Sequence, residues 1–324
     1  MFRIKSERKF QLIKVKMNFQ QSPNPRQRAN TAPKTPTPDM FNEYKPRLSE
    51  EISVLMKANG DSVNTQSRDS INLVEKILVQ QLRGIMSEVM NVAYKRTNSV
   101  IPSQCDFEFL MRRNSTKIQR FRKYMKTVYY LKAAESKQGG HTNMNFLNKL
   151  AEDNASDDEE ETYDPIKMRR LFRADRISQI LNQQKYEEFL RARSWSSNIR
   201  NKTDMLRKLM EILQIPKDIQ DNSNCQEIIL FLAIETVATI VDFAILTRLN
   251  TSNHITESFT VSSSITNNML HLCPEVTQGR ASDGIKAITV QEINEAIRRV
   301  QEMSTKRMGT SFRSNDMRIP FLAL

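Results

Sequence analysis

The sequence predicts an all-α fold in which one helical pattern occurs twice. Apolar residues recur at helical rather than alternating spacing, and the chain of 324 residues contains only seven glycines. Near each end of the chain, a short amphipathic helix precedes a long helix and a capped third helix. The long helices are predicted at Ser67–Ala93 and Cys225–Leu249. At 1.5 Å per residue, each is about 40 Å long.

In the first copy, the short helix carries four apolar residues on one face, and Ser49 is its predicted cap. The long helix follows with a single apolar stripe: Ile71, Val74, Leu78, Leu82, Ile85, Val89 and Ala93. The third helix begins at a predicted capping box of Ser103 and Asp106. A fourth helix is predicted at Ser115–Ala134.

The second copy repeats this order. A short helix ends at Ile215-Pro216, and the long helix after it is apolar on nearly all sides. Because Glu235, Asp242 and several threonines interrupt its apolar run, we interpret it as a buried helix and not as a membrane span. A second capping box is predicted at Thr289 and Glu292.

A short helix, a long helix and a short helix form the arrangement of a histone fold. One histone fold leaves most of its long helix without a partner, so two in one chain are expected to cover each other. We therefore predict two histone folds in one chain forming an intramolecular histone-fold pair, with a disordered tail and linker. The predicted segments are a basic tail (1–40), the first histone fold with an extra C-terminal helix (41–135), an acidic linker (136–165), a connecting helical segment (166–196), the second histone fold (197–304) with an insertion (251–284), and a C-terminal tail (305–324).

Charge and cysteine content narrow the class of protein. Residues 1–38 hold nine Lys or Arg and one acid, so this tail accounts for +8 of the net +12. The remaining +4 is too small to indicate a DNA-binding body. The three cysteines show no disulfide or zinc spacing, which predicts a reducing compartment. No secretory signal is expected.

Several stretches resemble one family of transcription proteins. They are Ile101–Met125, the Tyr186-x-Glu188-Phe189-x-x-x-Arg193 segment, Ala233–Leu246, Ile293–Arg299 and the terminal Phe321-Leu322-Ala323. Together they resemble the Spt-three (suppressor of Ty, third member) family, the double-histone-fold subunits of the SAGA coactivator. The two halves are also similar to two TATA-binding-protein-associated factors of TFIID that pair as a heterodimer. Residues 1–40 and the insertion have no counterpart in this resemblance.

The resemblance implies a nuclear, non-enzymatic coactivator subunit with no cofactor and no small-molecule substrate. Its implied partners are the TATA-binding protein (TBP), which it would deliver to RNA polymerase II promoters, and other SAGA subunits. The residues agree with the absence of catalysis, because His141, His254 and His271 show no metal-ligand spacing and no nucleotide-binding loop is present.

Two carboxylates are candidates for TBP contact. Glu235 and Asp242 are seven residues apart on the second long helix, and a buried carboxylate needs a partner. One reading pairs them inside the protein with Arg298, Arg299 or an arginine of the first half. The other reading exposes one of them, with Glu235 preferred, to a basic or backbone-donor surface of TBP.

A basic helix face is the second candidate for partner contact. It consists of Lys117, Arg120, Lys123 and Lys126. It would meet an acidic coactivator surface or a DNA backbone, although such faces are often simply solvated. The alternative function is accordingly a histone-like DNA-binding architectural protein, which requires basic residues at the loops where paired folds meet DNA.

Overall fold

The computed structural model describes residues 46–138, 163–198, 202–251, 285–307 and 321–324. Within these ranges the chain forms ten helices and no strand, which confirms the predicted all-α class. The predicted tail, the linker residues 139–162 and the insertion residues 252–284 lie outside the described residues.

The first half contains four helices: α1 (Ser49–Ala58), α2 (Arg68–Thr97), α3 (Gln104–Met111) and α4 (Ser115–Gln138). The predicted apolar stripe of α2 is buried throughout. Two boundaries differ from the prediction. Ser49 is the first helical residue and makes no cap, since Leu48 occupies that position. The long helix runs four residues past Ala93 and ends where Asn98 adopts a left-handed conformation, with φ of 55°.

Two helices then connect the halves, α5 (Pro165–Ile180) and α6 (Gln183–Ser197). Asp164 and Asn182 cap them, because each side chain accepts hydrogen bonds from the first free backbone N–H groups. The second half contains α7 (Thr203–Leu213), α8 (Lys217–Gln220), α9 (Ser223–Thr251) and α10 (Val290–Arg307).

Helix α9 is the most apolar element of the structure. Among the described residues it alone is long and apolar enough to cross a membrane. However, 72% of its most apolar stretch of 18 residues is buried inside the protein. The surrounding helices therefore cover it, as the sequence predicted for a core helix.

The two halves contribute to one buried core. A single cluster of apolar side chains contains residues of α1 and α2 together with residues of α7, α9 and α10. Helix α1 contacts both long helices, α7 contacts α2, and the long helices contact each other. In this core, the ring centroids of Phe121 on α4 and Phe231 on α9 lie 5.3 Å apart. Each half thus covers apolar surface that the other would expose.

Helix α3 of the first half and helix α10 of the second half begin with the same capping arrangement. Asp106 accepts a hydrogen bond from the Ser103 N–H at 2.8 Å, and Glu292 accepts one from the Thr289 N–H at 2.8 Å, so both predicted capping boxes form. In each half, an arginine near the end of the long helix binds this acid with two nitrogens. Arg96 binds Asp106, and Arg248 binds Glu292.

These two ion pairs stabilise the charged forms of Asp106 and Glu292. The Arg96 guanidinium holds the pKa of Asp106 at about 2. Burial disfavours the charge on Glu292, but Arg248 and the hydrogen bonds of Thr289 together more than offset it and lower the pKa of that carboxyl. In both halves, an ion pair therefore joins the end of the long helix to the start of the next capped helix: α2 to α3, and α9 to α10.

The start of each long helix also contacts the other half. Helix α2 contacts the loop before α10, and α9 contacts the loop before α3. The Ser70 hydroxyl donates to the carbonyl of Ile288 at 2.8 Å, and the Cys225 thiol donates to the carbonyl of Pro102 at 3.3 Å. Ser70 and Cys225 are each the third residue of their helix, and Ile288 and Pro102 each precede the N-cap by one residue. The contacts between the halves are thus nearly reciprocal.

Asp61 adds a further bond between the halves. This buried carboxylate accepts from the backbone N–H of Ile288 and from the side chain of Gln66, at 2.8 and 2.9 Å. It satisfies a backbone donor that the paired arrangement removes from water.

Gly60, beside Asp61, provides a test of this junction. Its φ of +113° is unfavourable for other residues, and an added Cβ would lie 3.0 Å from two atoms of the Arg173 side chain. We expect Gly60→Ala to lower the free energy of unfolding by about 1–3 kcal/mol, measured by urea denaturation followed by circular dichroism.

Gly84→Ala is the control for backbone strain, because Gly84 already has a helical conformation; its added Cβ would lie 2.8 Å from Cε1 of Phe321, so that ring must move. Alanine favours a helix over glycine by about 1 kcal/mol, which should offset moving that ring. Equal effects of the two substitutions would contradict this assignment of strain to Gly60.

Candidate partner-binding surfaces

Glu235 and Asp242 lie on α9 and face α5. Their side chains are 10% and 21% exposed. Arg170 binds both: its Nη1 lies 3.0 Å from a Glu235 oxygen and its Nε lies 2.7 Å from an Asp242 oxygen. Arg173, one turn further along α5, binds the other oxygen of Asp242.

Arg120 brings the first half into the same cluster. Its Nη1 lies 2.7 Å from Glu235, and its Nε lies 2.8 Å from Asp164. Asp164 uses its other oxygen to cap α5. We call these three arginines and three carboxylates the arginine–carboxylate network: Arg120, Arg170, Arg173, Asp164, Glu235 and Asp242. It joins α4, α5 and α9 and carries no net charge.

The network favours the charged forms of Arg170 and Asp242. Burial disfavours the charge on Arg170, but Asp242 and Glu235 together more than offset it and raise the pKa of the guanidinium. Burial likewise disfavours the charge on Asp242, and the two arginines of α5 lower the pKa of that carboxyl. Removing one partner would therefore leave a buried charge without its counterpart.

The structure agrees with the internal reading of the two carboxylates. An arginine of the first half, Arg120, does pair with Glu235, whereas Arg298 and Arg299 bind Glu295 on their own helix. The exposed position expected for Glu235 is not observed. Sequence reasoning missed the arginines at positions 170 and 173, although their spacing of three on a helix places them on one face.

The prediction of an outward-facing basic face on α4 is wrong for two of its four residues, which face inward. Lys117 is buried, and Arg120 belongs to the network. Burial arises because the apolar stripe of α4 covers α9, and both long side chains follow it into the structure. Lys123 is exposed and Lys126 is half-buried, so these two retain the predicted outward position.

Lys117 holds the segment Phe321–Leu324 against the helices. Its ammonium donates to the carbonyl of Leu322 at 2.6 Å and to the backbone oxygen of Leu324 at 3.0 Å. The Leu322 N–H donates to the Gln81 side chain at 3.0 Å, and Leu322 and Ala323 join the core. Burial lowers the pKa of Lys117 to about 8. The described end of the predicted C-terminal tail is therefore part of the packed structure.

The loops where the halves meet are not basic. The described segments 59–67, 98–103, 214–222 and 285–289 contain two lysines, three aspartates and no arginine. One of these aspartates, Asp61, bonds the opposite half. This charge balance does not favour the DNA-binding alternative.

Metal ligands are not clustered in the part of the chain that the structure covers. No group of three or more His, Cys, Asp or Glu side chains there is arranged to hold a metal ion. All three histidines lie outside the described residues.

Comparison with known proteins identifies the family. The chain is 43% identical over 287 residues to SAGA complex subunit Spt3 of Drosophila melanogaster, and this covers 86% of the chain and 74% of the relative. The chain belongs to the Spt3 family. The predicted resemblance to this family is thereby confirmed. Its five quoted stretches extend through both halves, as the Spt3 alignment does.

A second comparison concerns the first half of this Spt3 family member. Residues 46–139 match the family described as Transcription initiation factor IID, 18kD subunit. These residues include α1 to α4, so the first half contains a histone-fold domain of this type.

Proposed function

We propose that the chain is a non-enzymatic subunit of a SAGA-like transcription coactivator and acts in the nucleus. In this role it binds TBP and delivers it to RNA polymerase II promoters. The observation that carries the proposal is the extended similarity to Drosophila SAGA complex subunit Spt3. The proposal assigns the chain no cofactor and no small-molecule substrate.

We further propose that the second half is a second histone fold and that the two folds pair within the chain. Three observations support this: the shared core, the matching capping boxes with their arginines, and the reciprocal loop contacts. A chain that covers both of its long helices needs no outside histone-fold partner. Its outer surfaces are then available to the coactivator and to TBP.

Two surfaces are proposed to meet partners. Asp242 remains a candidate for TBP contact because part of its side chain reaches the surface, whereas Glu235 would act by positioning Arg120 and Arg170. Lys123 and Lys126 on α4 would meet an acidic surface of a coactivator subunit or of TBP.

The proposal is tested by capture of the full chain on immobilised TBP and by its co-purification with SAGA subunits from nuclear extract. The variants are Asp242→Asn and the double reversal Lys123→Glu/Lys126→Glu. The matched control is Arg191→Glu/Arg207→Glu, which reverses two well-exposed arginines on α6 and α7.

We expect the wild-type chain and the control to be captured and to co-purify, and each test variant to lose at least one interaction. A chain that neither binds TBP nor enters the complex would refute the proposed function. Equal behaviour of all variants would refute the proposed surfaces and leave the function standing.

A further inference from the structure

The outer face of α3 exposes apolar side chains at regular spacing. Cys105 and Phe109 are four residues apart and therefore lie on one side of α3. Ile101 lies in the loop just before the helix, and all three side chains are exposed, with Ile101 at 40% and Phe109 at 50%. The guanidinium of Arg112 stacks on the Phe109 ring at 4.1 Å and donates to its carbonyl at 2.7 Å. The face therefore combines an apolar stripe with an ordered cation.

Helix α10 of the second half corresponds to α3, and it shows which residue occupies the position of Phe109 in that half. Counting six residues on from each N-cap, Ser103 and Thr289, gives Phe109 on α3 and Glu295 on α10. Two consecutive arginines follow at the same spacing in both halves: Arg112 and Arg113 directly after the end of α3, and Arg298 and Arg299 within α10.

On α10, both arginines are paired with acids of their own helix. Glu295 lies 2.6 Å from Arg298 and 2.7 Å from Arg299, and Arg298 also binds Glu302. The two arginines hold the pKa of Glu295 at about 2. The second half thus supplies the acids for its own arginines.

On α3, the corresponding carboxylate is missing. Arg112 and Arg113 are both exposed, and neither pairs with an acid among the described residues. The nearby acid Glu108 is bound by Arg122 and Gln104. A half-exposed phenylalanine occupies the place of the acid, so this face presents two cations and an aromatic ring that Arg112 covers only in part.

We propose that this α3 face (Ile101, Cys105, Phe109, Arg112 and Arg113) docks an acidic amphipathic segment of another protein. A carboxylate of that segment takes the role that Glu295 has on α10, and its apolar side chains cover Phe109 and Ile101. This surface goes beyond the proposed function and does not require TBP to be the partner.

Other occupants fit the face less well. A DNA phosphate would pair with the arginines but leave the apolar stripe exposed to water. A second copy of the chain joined through the same face would bring four arginines together without an acid. An acidic amphipathic segment satisfies both the charges and the apolar surface.

The test uses a labelled 16-residue synthetic peptide with Leu and Phe at helical spacing and Asp and Glu between them. Its binding to the full chain is measured by fluorescence anisotropy. A control peptide carries Asn and Gln in place of the acids. The variants are Phe109→Glu, which copies the α10 arrangement, and Arg112→Ala/Arg113→Ala. The control variant is Arg298→Ala/Arg299→Ala.

We expect each α3 variant and the Asn/Gln peptide to raise the Kd by about tenfold or more, as for loss of one central contact. The α10 variant should change the Kd less than about twofold, within the range of a surface substitution. Equal binding by Phe109→Glu or by the Asn/Gln peptide would overturn the proposal. So would tighter binding of a DNA duplex through the same arginines, or self-association that Phe109→Glu abolishes.

A second measurement needs no substitution on the face. With Cys273 replaced by serine, two thiols remain: Cys105, which is exposed, and Cys225, which is buried and whose pKa burial raises to about 11. Bound peptide should slow the alkylation of Cys105 and leave the slow alkylation of Cys225 unchanged. Unprotected Cys105 under saturating peptide would contradict docking on this face.

Discussion

Replacing Ile85 with aspartate is expected to expose both halves of the chain to protease. Ile85 is fully buried on α2, within the core to which both halves contribute. An aspartate there would place a charge in apolar surroundings without a cation to pair with it. The expected loss of unfolding free energy exceeds about 4 kcal/mol, and limited proteolysis with mass spectrometry would map the cleavage sites.

The control is Asn91→Asp, which adds the same charge at an exposed position of the same helix. We expect its cleavage pattern to match the wild type. If Ile85→Asp leaves the second half as resistant as before, the halves do not depend on each other, and intramolecular pairing is contradicted.

Removing Arg170 is expected to cause the second large loss. Replacing it with methionine keeps most of the apolar stem but leaves Glu235 and Asp242 without their shared cation. Breaking a buried ion pair on one side costs about 3–5 kcal/mol. Urea denaturation at pH 7 measures the loss, and Arg169→Met serves as the control because Arg169 is adjacent and lies outside the network.

Acidification distinguishes a broken ion pair from poor packing. The lowered pKa of Asp242 means that its contribution is present above the unfolded value of about 4 and is lost as pH falls through the folded value. The difference in stability between wild type and Arg170→Met should therefore shrink below pH 4. A difference that stays constant down to pH 3 would indicate that only packing was lost.

Local sequence signals predicted much of the fold. The apolar stripe of α2 and the capping boxes at Ser103 and Thr289 formed as expected. Such features depend on residues within one or two helical turns of each other. The start of α1 was misplaced by one residue, because Leu48 is held by burial and not by a capping side chain.

The site was predictable only in part. The sequence showed that Glu235 and Asp242 needed partners, and it identified an arginine of the first half as one possible source. It did not indicate α5, because packing between distant segments decides which arginine approaches α9. The inward orientation of the Lys117 side chain was equally unpredictable, since the Leu322 carbonyl that it binds lies more than 200 residues away in the chain.

The common core of α2 and α9 also bears on how this protein behaves in the cell. Two polypeptides that must form one core together have to be produced in matched amounts, and their association weakens on dilution. Here one translation product supplies both parts, so their ratio is fixed at one to one and dilution does not separate them. An altered residue on one side of the contact is inherited together with any compensating change on the other.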